Sequence, residues 1–329
     1  MSKTTKVVLI VTAVMVICII GAAVTFGVMY NGGGPLNLKN IFSGITIDVD
    51  EKADFDLDGV TRLNIENVSG RIYVKTGEAH ATLTGRIVTN KEQEEFLSVK
   101  NEGGTLTVRS DIDTIYPQYV NGDMVLTVYL PADLGLDTAI SGASASAQID
   151  GIRFGKLSVN SASGSVDINN CAGSTLNINV VSGEVNAAHL VFESVAANTT
   201  SGGVTVDGVS GSVNAGSVSG TVRVSNAAGS VDISNTSGNA SVVQSQEDVQ
   251  PIRIHNISGS INVALNPNAA FMLNVNSTSG SFNTDFDITV SGKLSKSVVG
   301  EDIEGAVNGG GSAVELSTVS GGISVTKSK

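Results

Sequence analysis

The sequence predicts an all-β chain, the greater part of it a β-solenoid of parallel coils with about 18–21 residues each, and three observations lead there. Glycines that follow serine stand at Gly164, Gly183, Gly202, Gly220, Gly238, Gly259 and Gly280, in successive steps of 19, 19, 18, 18, 21 and 21 along the chain. Gly142 precedes this series by one similar step, and Gly321 follows it at a distance close to two further turns. After most of these glycines, apolar residues fill the second and fourth places, as in Val166 and Ile168, Val204 and Val206, Val222 and Val224, or Ile323 and Val325. That is the alternation of a strand with one face inward. The composition agrees: 38 of 329 residues are Gly, aromatics make up 4% and Trp is absent, so the inward residues are small and the cross-section thin.

Each element follows in chain order. Residues 1–6 carry Lys3 and Lys6, and residues 7–30 hold no charge, which at about 1.5 Å per residue exceeds a hydrocarbon core of about 30 Å. This stretch reads as a single transmembrane helix with residues 1–6 in the cytosol and the remainder outside the cell membrane. A cleaved signal peptide is the competing reading, but the apolar run continues through Val24, Phe26, Val28 and Met29, which favours a retained anchor. Cys18 does not mark a lipoprotein, since Ile17 before it is too bulky. Residues 31–56, opening on Gly32–Pro35, read as a linker and lead-in segment.

Residues 57–138 alternate at Leu63-Asn64-Ile65, Ile72-Tyr73-Val74, Leu106-Thr107-Val108 and from Met124 to Leu130, which suits an antiparallel sheet or an irregular first rung. Only Lys91–Leu97 looks helical. Residues 139–329 form the repeats, about ten coils, which at about 4.8 Å per coil gives a stack of roughly 45 to 50 Å. Gly173, Gly211 and Gly229 fall nine residues after principal glycines, so a unit holds two short strands and two corners. One unit cannot bury its own apolar row, whereas stacked units bury a continuous column. A hexapeptide helix fits poorly because the apolar positions do not recur every six. A propeller blade needs about 40 residues.

With 19 basic and 31 acidic residues the net charge is -12, which repels phosphate backbones and disfavours nucleic acid. Without Lys3 and Lys6 the exported part holds 17 basic against 31 acidic residues, or -14. Two cysteines make no disulfide framework, and Cys171 has no partner outside the membrane. Cys171, in an apolar strand pattern, reads as a packing thiol.

The repeats resemble a bacterial family of membrane-anchored "putative adhesin" proteins, formerly a domain of unknown function. The resemblance rests on Asn67-Val68-Ser69-Gly70, Val181-Ser182-Gly183-Glu184, Thr278-Ser279-Gly280-Ser281 and Thr318-Val319-Ser320-Gly321, together with Val128-Tyr129-Leu130-Pro131 and Asn308-Gly309-Gly310-Gly311. It covers about Leu57 to Lys329. The family's mark is a Gly-Asp pair, whereas the residue after glycine here is usually Ser, Gly, Thr or Asn, with Glu184 the exception. The resemblance implies an exported β-solenoid with an adhesin-like or envelope-stress accessory role, and it implies no catalytic residue.

The residues themselves offer few chemical candidates. Asp54, Asp56 and Asp58, followed by Gly59, match the start of a calcium-binding EF-hand loop, but the twelfth position is Ile65 with Glu66 one step late, so any Ca²⁺ site would be weak and irregular. Asp150, Asp167, Asp207 and Asp232 carry carboxylates that a glycosidase could pair, but their spacings mark no common rung. From Leu157 through Ile252 the only basic residue is Arg223, and no Trp or Tyr follows Tyr129 to stack on sugar. His80, His189 and His255 stand far apart. Asn67, Asn235 and Asn256 head glycosylation sequons that turn-rich composition alone produces.

No cofactor is expected. The leading reading is a non-enzymatic, membrane-anchored interaction or adhesion protein of the cell envelope, whose partner is an envelope polymer, a cell surface or a membrane protein. The alternative is an accessory or sensor subunit of an envelope-stress system, and a polysaccharide-active enzyme is a remote third.

Overall fold

The computed structural model describes residues 45–89, 95–111, 124–296 and 300–328, and every regular element among them is a strand. The transmembrane segment expected at 7–30, and residues 91–94 of the stretch expected to be helical, lie outside the described residues. Among the described residues no helix is long and apolar enough to cross a membrane. The chain divides into two compact units. One reaches Gly173 and takes in Asn179–Ser182, and the other holds Ser174–Ile178 and everything from Gly183 on.

In the first unit, coil stacking begins well before residue 139. Strand β2 (Arg62–Thr76) pairs in parallel with β7 (Asp137–Asp150) from Arg62↔Asp137 to Val74↔Ile149, so residues 62–76 are the first rung. The reason is local: Leu63, Ile65, Ile72 and Val74 alternate inward and are almost wholly buried, as in any later coil. β2 bends midway, at Gly70 with φ +95°. The half of β2 before the bend pairs with β5 (Thr105–Ser110), and the half after it pairs with β6 (Val125–Leu130). Antiparallel strands then extend both sheets. β4 (Leu97–Glu102) lies on β5, β3 (His80–Thr89) lies on β6, and β1 (Ile45–Asp54) lies on β3. Two sequence expectations are corrected here. Residues 45–54 of the expected linker form a ten-residue strand, and Leu97 opens a strand where the helix was expected to end. On its other side β7 carries β8 (Lys156–Ser163) and β9 (Val166–Asn169).

The chain continues through β10 (Ala172–Ser182) into the second unit, where β11 (Val185–Ser201) serves two columns of parallel strands. On its first half stack β12 (Val204–Val209), β14 (Val222–Ala227), β16 (Ala240–Gln244) and β18 (Ile261–Leu265). On its second half stack β13 (Ser212–Ser219), β15 (Val231–Ser237) and β17 (Ile252–Ser258). The repeat spacing predicts these rungs, and their register holds the apolar positions in line. One inward row runs Val185, Val204, Val222, Ala240, Ile261, and another runs Ala197, Ala215, Ile233, Ile254.

Beyond that point the stack leaves sequence order. The next strands in the chain are β19 (Phe271–Ser279) and β20 (Phe282–Thr284), but β17 and β18 pair instead with the last two, β23 (Ser312–Ser320) and β24 (Ile323–Lys327). β19 and β20 pair on the far side of that final pair. β22 (Glu301–Val307) then runs antiparallel along β19, and β21 (Thr289–Lys296) runs antiparallel along β22. The terminal coil is thus intercalated, and Gly321 follows Gly259 directly in the stack, with Gly280 after it.

Asn308–Gly311 makes the crossing possible. It carries the chain from one side of β19 to the other, since Phe271 pairs with Val307 on one side and Ser312 on the other. Asn308, Gly309 and Gly310 all take positive φ, and a Cβ on Gly311 would run into the Ala270 carbonyl. The Asn308 side chain ties the crossing down by donating to the Ala269 carbonyl at 2.9 Å.

Candidate interaction surface

Parallel, in-register coils align side chains by row, so the outer face of the second unit carries ordered lines of polar groups. Along β13, β15, β17, β23, β19 and β22 the line reads Asn214, Asp232, Arg253, Glu315, Asn274, Glu304. Two residues further on, it reads Gly216, Ser234, His255, Ser317, Asn276, Asp302. The other column presents Thr205, Arg223, Ser241, Asn262 and Ser324 in one line.

The first line is held by charge. Arg253 Nε donates to Glu315 Oε2 at 3.0 Å, and Arg253 Nη1 lies 3.7 Å from Asp232 Oδ2. The hydrogen bond to Glu315 raises the Arg253 pKa further. All three side chains remain about half exposed, so solvent screens the ladder and each pair contributes about 0–1 kcal/mol. In the second line Asn276 Nδ2 donates to Asp302 Oδ1 at 3.0 Å.

Asp232 behaves oppositely to a usual ion-paired carboxylate. Burial pushes its pKa above the ordinary 3.8, Glu315 adds to the push, and Arg253 and His255 only partly offset it. A carboxyl whose folded pKa is raised favours the fold while protonated, and that contribution is lost as pH rises from about 3.8 through the raised value. Asp232→Asn is therefore expected to match wild type in thermal unfolding at about pH 3 and to melt above it at pH 7. Equal melting at both pH values would contradict this assignment.

The other carboxylates do not assemble a paired acid site. Asp207 lies between Ala188 and Ser225 in register and accepts from Ser225 Oγ at 2.6 Å and Asn226 Nδ2 at 2.9 Å. Asp150 accepts from Asn170 Nδ2 at 2.9 Å, and Asp167 pairs in register with Gln148. The calcium candidates are likewise spread out. Asp54 is ion-paired with Lys52 at 2.8 Å, which lowers its pKa, and Asp56 Oδ1 accepts the Asp58 backbone N–H at 2.9 Å. Among the described residues no group of three or more potential ligands gathers to hold a metal ion. His80 stacks on Tyr129 with ring centroids 4.3 Å apart, His189 sits at a positive-φ corner, and His255 lies between Ser234 and Ser317.

Cys171 is buried, and its Sγ donates to the Asn169 carbonyl at 3.1 Å. Burial pushes its thiol pKa up, so the nucleophilic thiolate is disfavoured. In the folded chain Cys171 is expected to resist a thiol reagent such as DTNB at neutral pH and to react on denaturation. Rapid labelling of the native thiol would overturn that.

A feature missed in the sequence lies three residues before most of the corner glycines. The residues there, Asn67, Ser161, Thr199, Ser217, Asn235, Asn256, Thr318 and Ser277, are all buried. In the second unit they form an internal polar column, and most donate to a carbonyl at the preceding coil's corner. Ser217 Oγ reaches Gly202 O at 3.1 Å, Asn235 Nδ2 reaches Gly220 O at 3.1 Å, and Asn256 Nδ2 reaches Gly238 O at 2.9 Å. The signal was present as Asn, Ser or Thr recurring at that offset, with Val180 before Gly183 the exception in the series from Gly164 to Gly280. Burial agrees with the compositional reading of the sequons, because a buried, hydrogen-bonded Asn67, Asn235 or Asn256 is no acceptor for a surface glycan.

These parallel coils, with inward apolar rows, an internal polar column and outward polar rows, define a β-solenoid-like repeat protein. The chain belongs to the Toastrack DUF4097 family, whose match spans residues 60–326. That match begins beside β2 and so includes the first rung. No curated protein matches the chain.

Among solved structures, similarity is found to "a putative adhesin" from Bacteroides fragilis, at 17% identity and a TM-score of 0.43, covering 68% of this chain and 97% of that one. It is also found to "putative adhesin" from Parabacteroides distasonis, at 10% identity and 0.36, covering 86% and 96%. A third, "a putative cell adhesion protein" from Clostridium sporogenes, stands at 10% identity and 0.25, covering 86% and 100%.

Proposed function

We propose that the chain is a non-enzymatic binding scaffold of the bacterial cell envelope, anchored by residues 7–30 with residues 1–6 in the cytosol and the coils outside. The observation that carries this reading is the in-register alignment of outward polar rows. A surface that repeats the same kind of contact every coil gains affinity by summing weak contacts, and it suits a repetitive envelope polymer or an extended partner at a cell surface. The Arg253 ladder and the line containing Arg223 supply charge and hydrogen-bonding groups along it.

The test uses the full-length chain in lipid nanodiscs, with purified peptidoglycan and anionic wall polymer as probes. Binding that falls at least tenfold in an Arg253→Glu, Arg223→Glu variant of unchanged melting temperature would support the scaffold. Absence of binding to both polymers, or binding unaffected by the two substitutions, would overturn it. Exchange of residues 1–30 for an unrelated anchor separates a surface scaffold, which tolerates the exchange, from a membrane-coupled accessory subunit, which does not.

A further inference from the structure

The first unit holds a second surface, unrelated to the outward rows. β1 pairs with β3 along one edge, and β4 pairs with β5 along one edge. Neither has another strand partner among the described residues. Between them runs an open groove of about 760 Å³, bordered by residues 51–56 on one side and 97–101 on the other. Its apolar lining comes from Ala53 and Phe55 on the β1 side, Leu97 and Val99 of β4, and the buried Leu106. One end is fixed by Glu51, whose carboxylate accepts the Phe96 N–H at 2.9 Å and the Leu97 N–H at 2.7 Å and so holds β4 against β1.

We propose that this groove binds an extended segment of a partner protein that adds as a strand beside β1 and carries Lys or Arg between apolar residues. Three observations combine. A strand edge offers unpaired backbone donors and acceptors, which an incoming strand satisfies. Apolar lining residues beside that edge take alternate side chains of an extended segment. The lining charges are Glu51, Asp54, Asp56 and Glu95 against Lys52 and Lys100, a balance of -2 that favours basic residues on the partner. The groove follows six residues of chain, about 20 Å of extended strand.

A second copy of the chain is a poor occupant. β1 itself reads ITIDVDEKAD, with four carboxylates and one lysine, so two β1 edges laid together would set like charges opposite each other.

Two labelled hexapeptides, alternating Lys-Val and alternating Glu-Val, test the proposal on the full-length chain by fluorescence anisotropy. The basic peptide is expected to bind at least tenfold more tightly than the acidic one and to slow amide exchange at residues 51–56 and 97–101. Asp54→Lys with Asp56→Lys is expected to reverse the preference. Lys100→Glu is expected to strengthen basic-peptide binding severalfold, a gain that misfolding cannot produce. Equal affinity for the two peptides, no binding at millimolar concentration, or protection elsewhere on the chain would overturn the proposal. So would concentration-dependent self-association that the same substitutions abolish. Substitutions at Arg253 and Arg223 should leave peptide binding unchanged, which keeps this result distinct from the polymer-binding test.

Discussion

Truncation after Gly311 is expected to unfold the second unit rather than shorten it by one coil. The missing strands, β23 and β24, sit between β17–β18 and β19–β20, so their loss opens four strand edges at once. Val314, Leu316, Ile323 and Val325 are each no more than 1% exposed, and their burial contributes about 6–12 kcal/mol together at about 1.5–3 kcal/mol each. That is comparable to the whole stability of a typical domain, about 5–15 kcal/mol. Were the coils stacked in chain order, the same deletion would remove only an end coil and leave the others paired. Circular dichroism on heating and amide exchange at residues 252–284 distinguish the two. A truncated chain that keeps its cooperative transition within a few degrees of wild type would contradict the intercalated order.

Gly259→Ala is expected to be among the most damaging single methyls in the chain's repeats. Gly259 takes φ +123°, and a Cβ there would run into the Gly238 carbonyl of the preceding coil. Its N–H bonds the Ser320 carbonyl at 2.9 Å, so the backbone cannot turn away without losing a rung contact. Strain of about 1–2 kcal/mol for an L-residue at positive φ adds to about 1–3 kcal/mol for overpacking against backbone, giving about 2–5 kcal/mol. Gly309→Ala is the control. Gly309 also has positive φ, at +92°, but nothing lies within 4 Å of its Cβ position, so strain alone of about 1–2 kcal/mol is expected. Denaturant unfolding of both variants measures the difference, and equal losses would show that the stacked carbonyls carry no weight.

The glycine interval was a sound guide to the rungs because it records a local requirement. Each corner needs a residue without Cβ, first for its φ and then for the neighbouring corner's carbonyl, so Gly202, Gly220, Gly238 and Gly259 mark their own coils. The same residues did not disclose which coil lies next to which. Gly321 and Gly280 carry the same corner signature, and either would satisfy Gly259. For a related reason the first rung was legible only as one of two alternatives for residues 57–138: β2 alternates like a later coil, but a long interval of chain separates Thr76 at its end from Asp137 at the start of β7. Strands β3 to β6 occupy that interval, and the antiparallel pairs β3–β6 and β4–β5 among them mask the rung.

The candidate sites were less legible. Asp232 and Arg253 are neighbours in the ordinary coil register, but Glu315 lies 62 residues beyond Arg253, and only the intercalated strand brings it beside them. The β1–β4 groove was also beyond reach, since Asp54 and Asp56 stood out as a possible cation loop rather than as the rim of a cleft.

The sequence by itself determined that the chain is built of short, inward-alternating strands turning at regularly recurring glycines, because backbone freedom and apolar alternation are properties of each residue and its near neighbours. Only the tertiary structure decided the order of the coils, the length of the first unit's rungs and the surfaces that result. Parallel pairing satisfies any two strands of matching alternation, so the choice among partners is made by chain connections such as the crossing at Asn308–Gly311, which no single repeat contains.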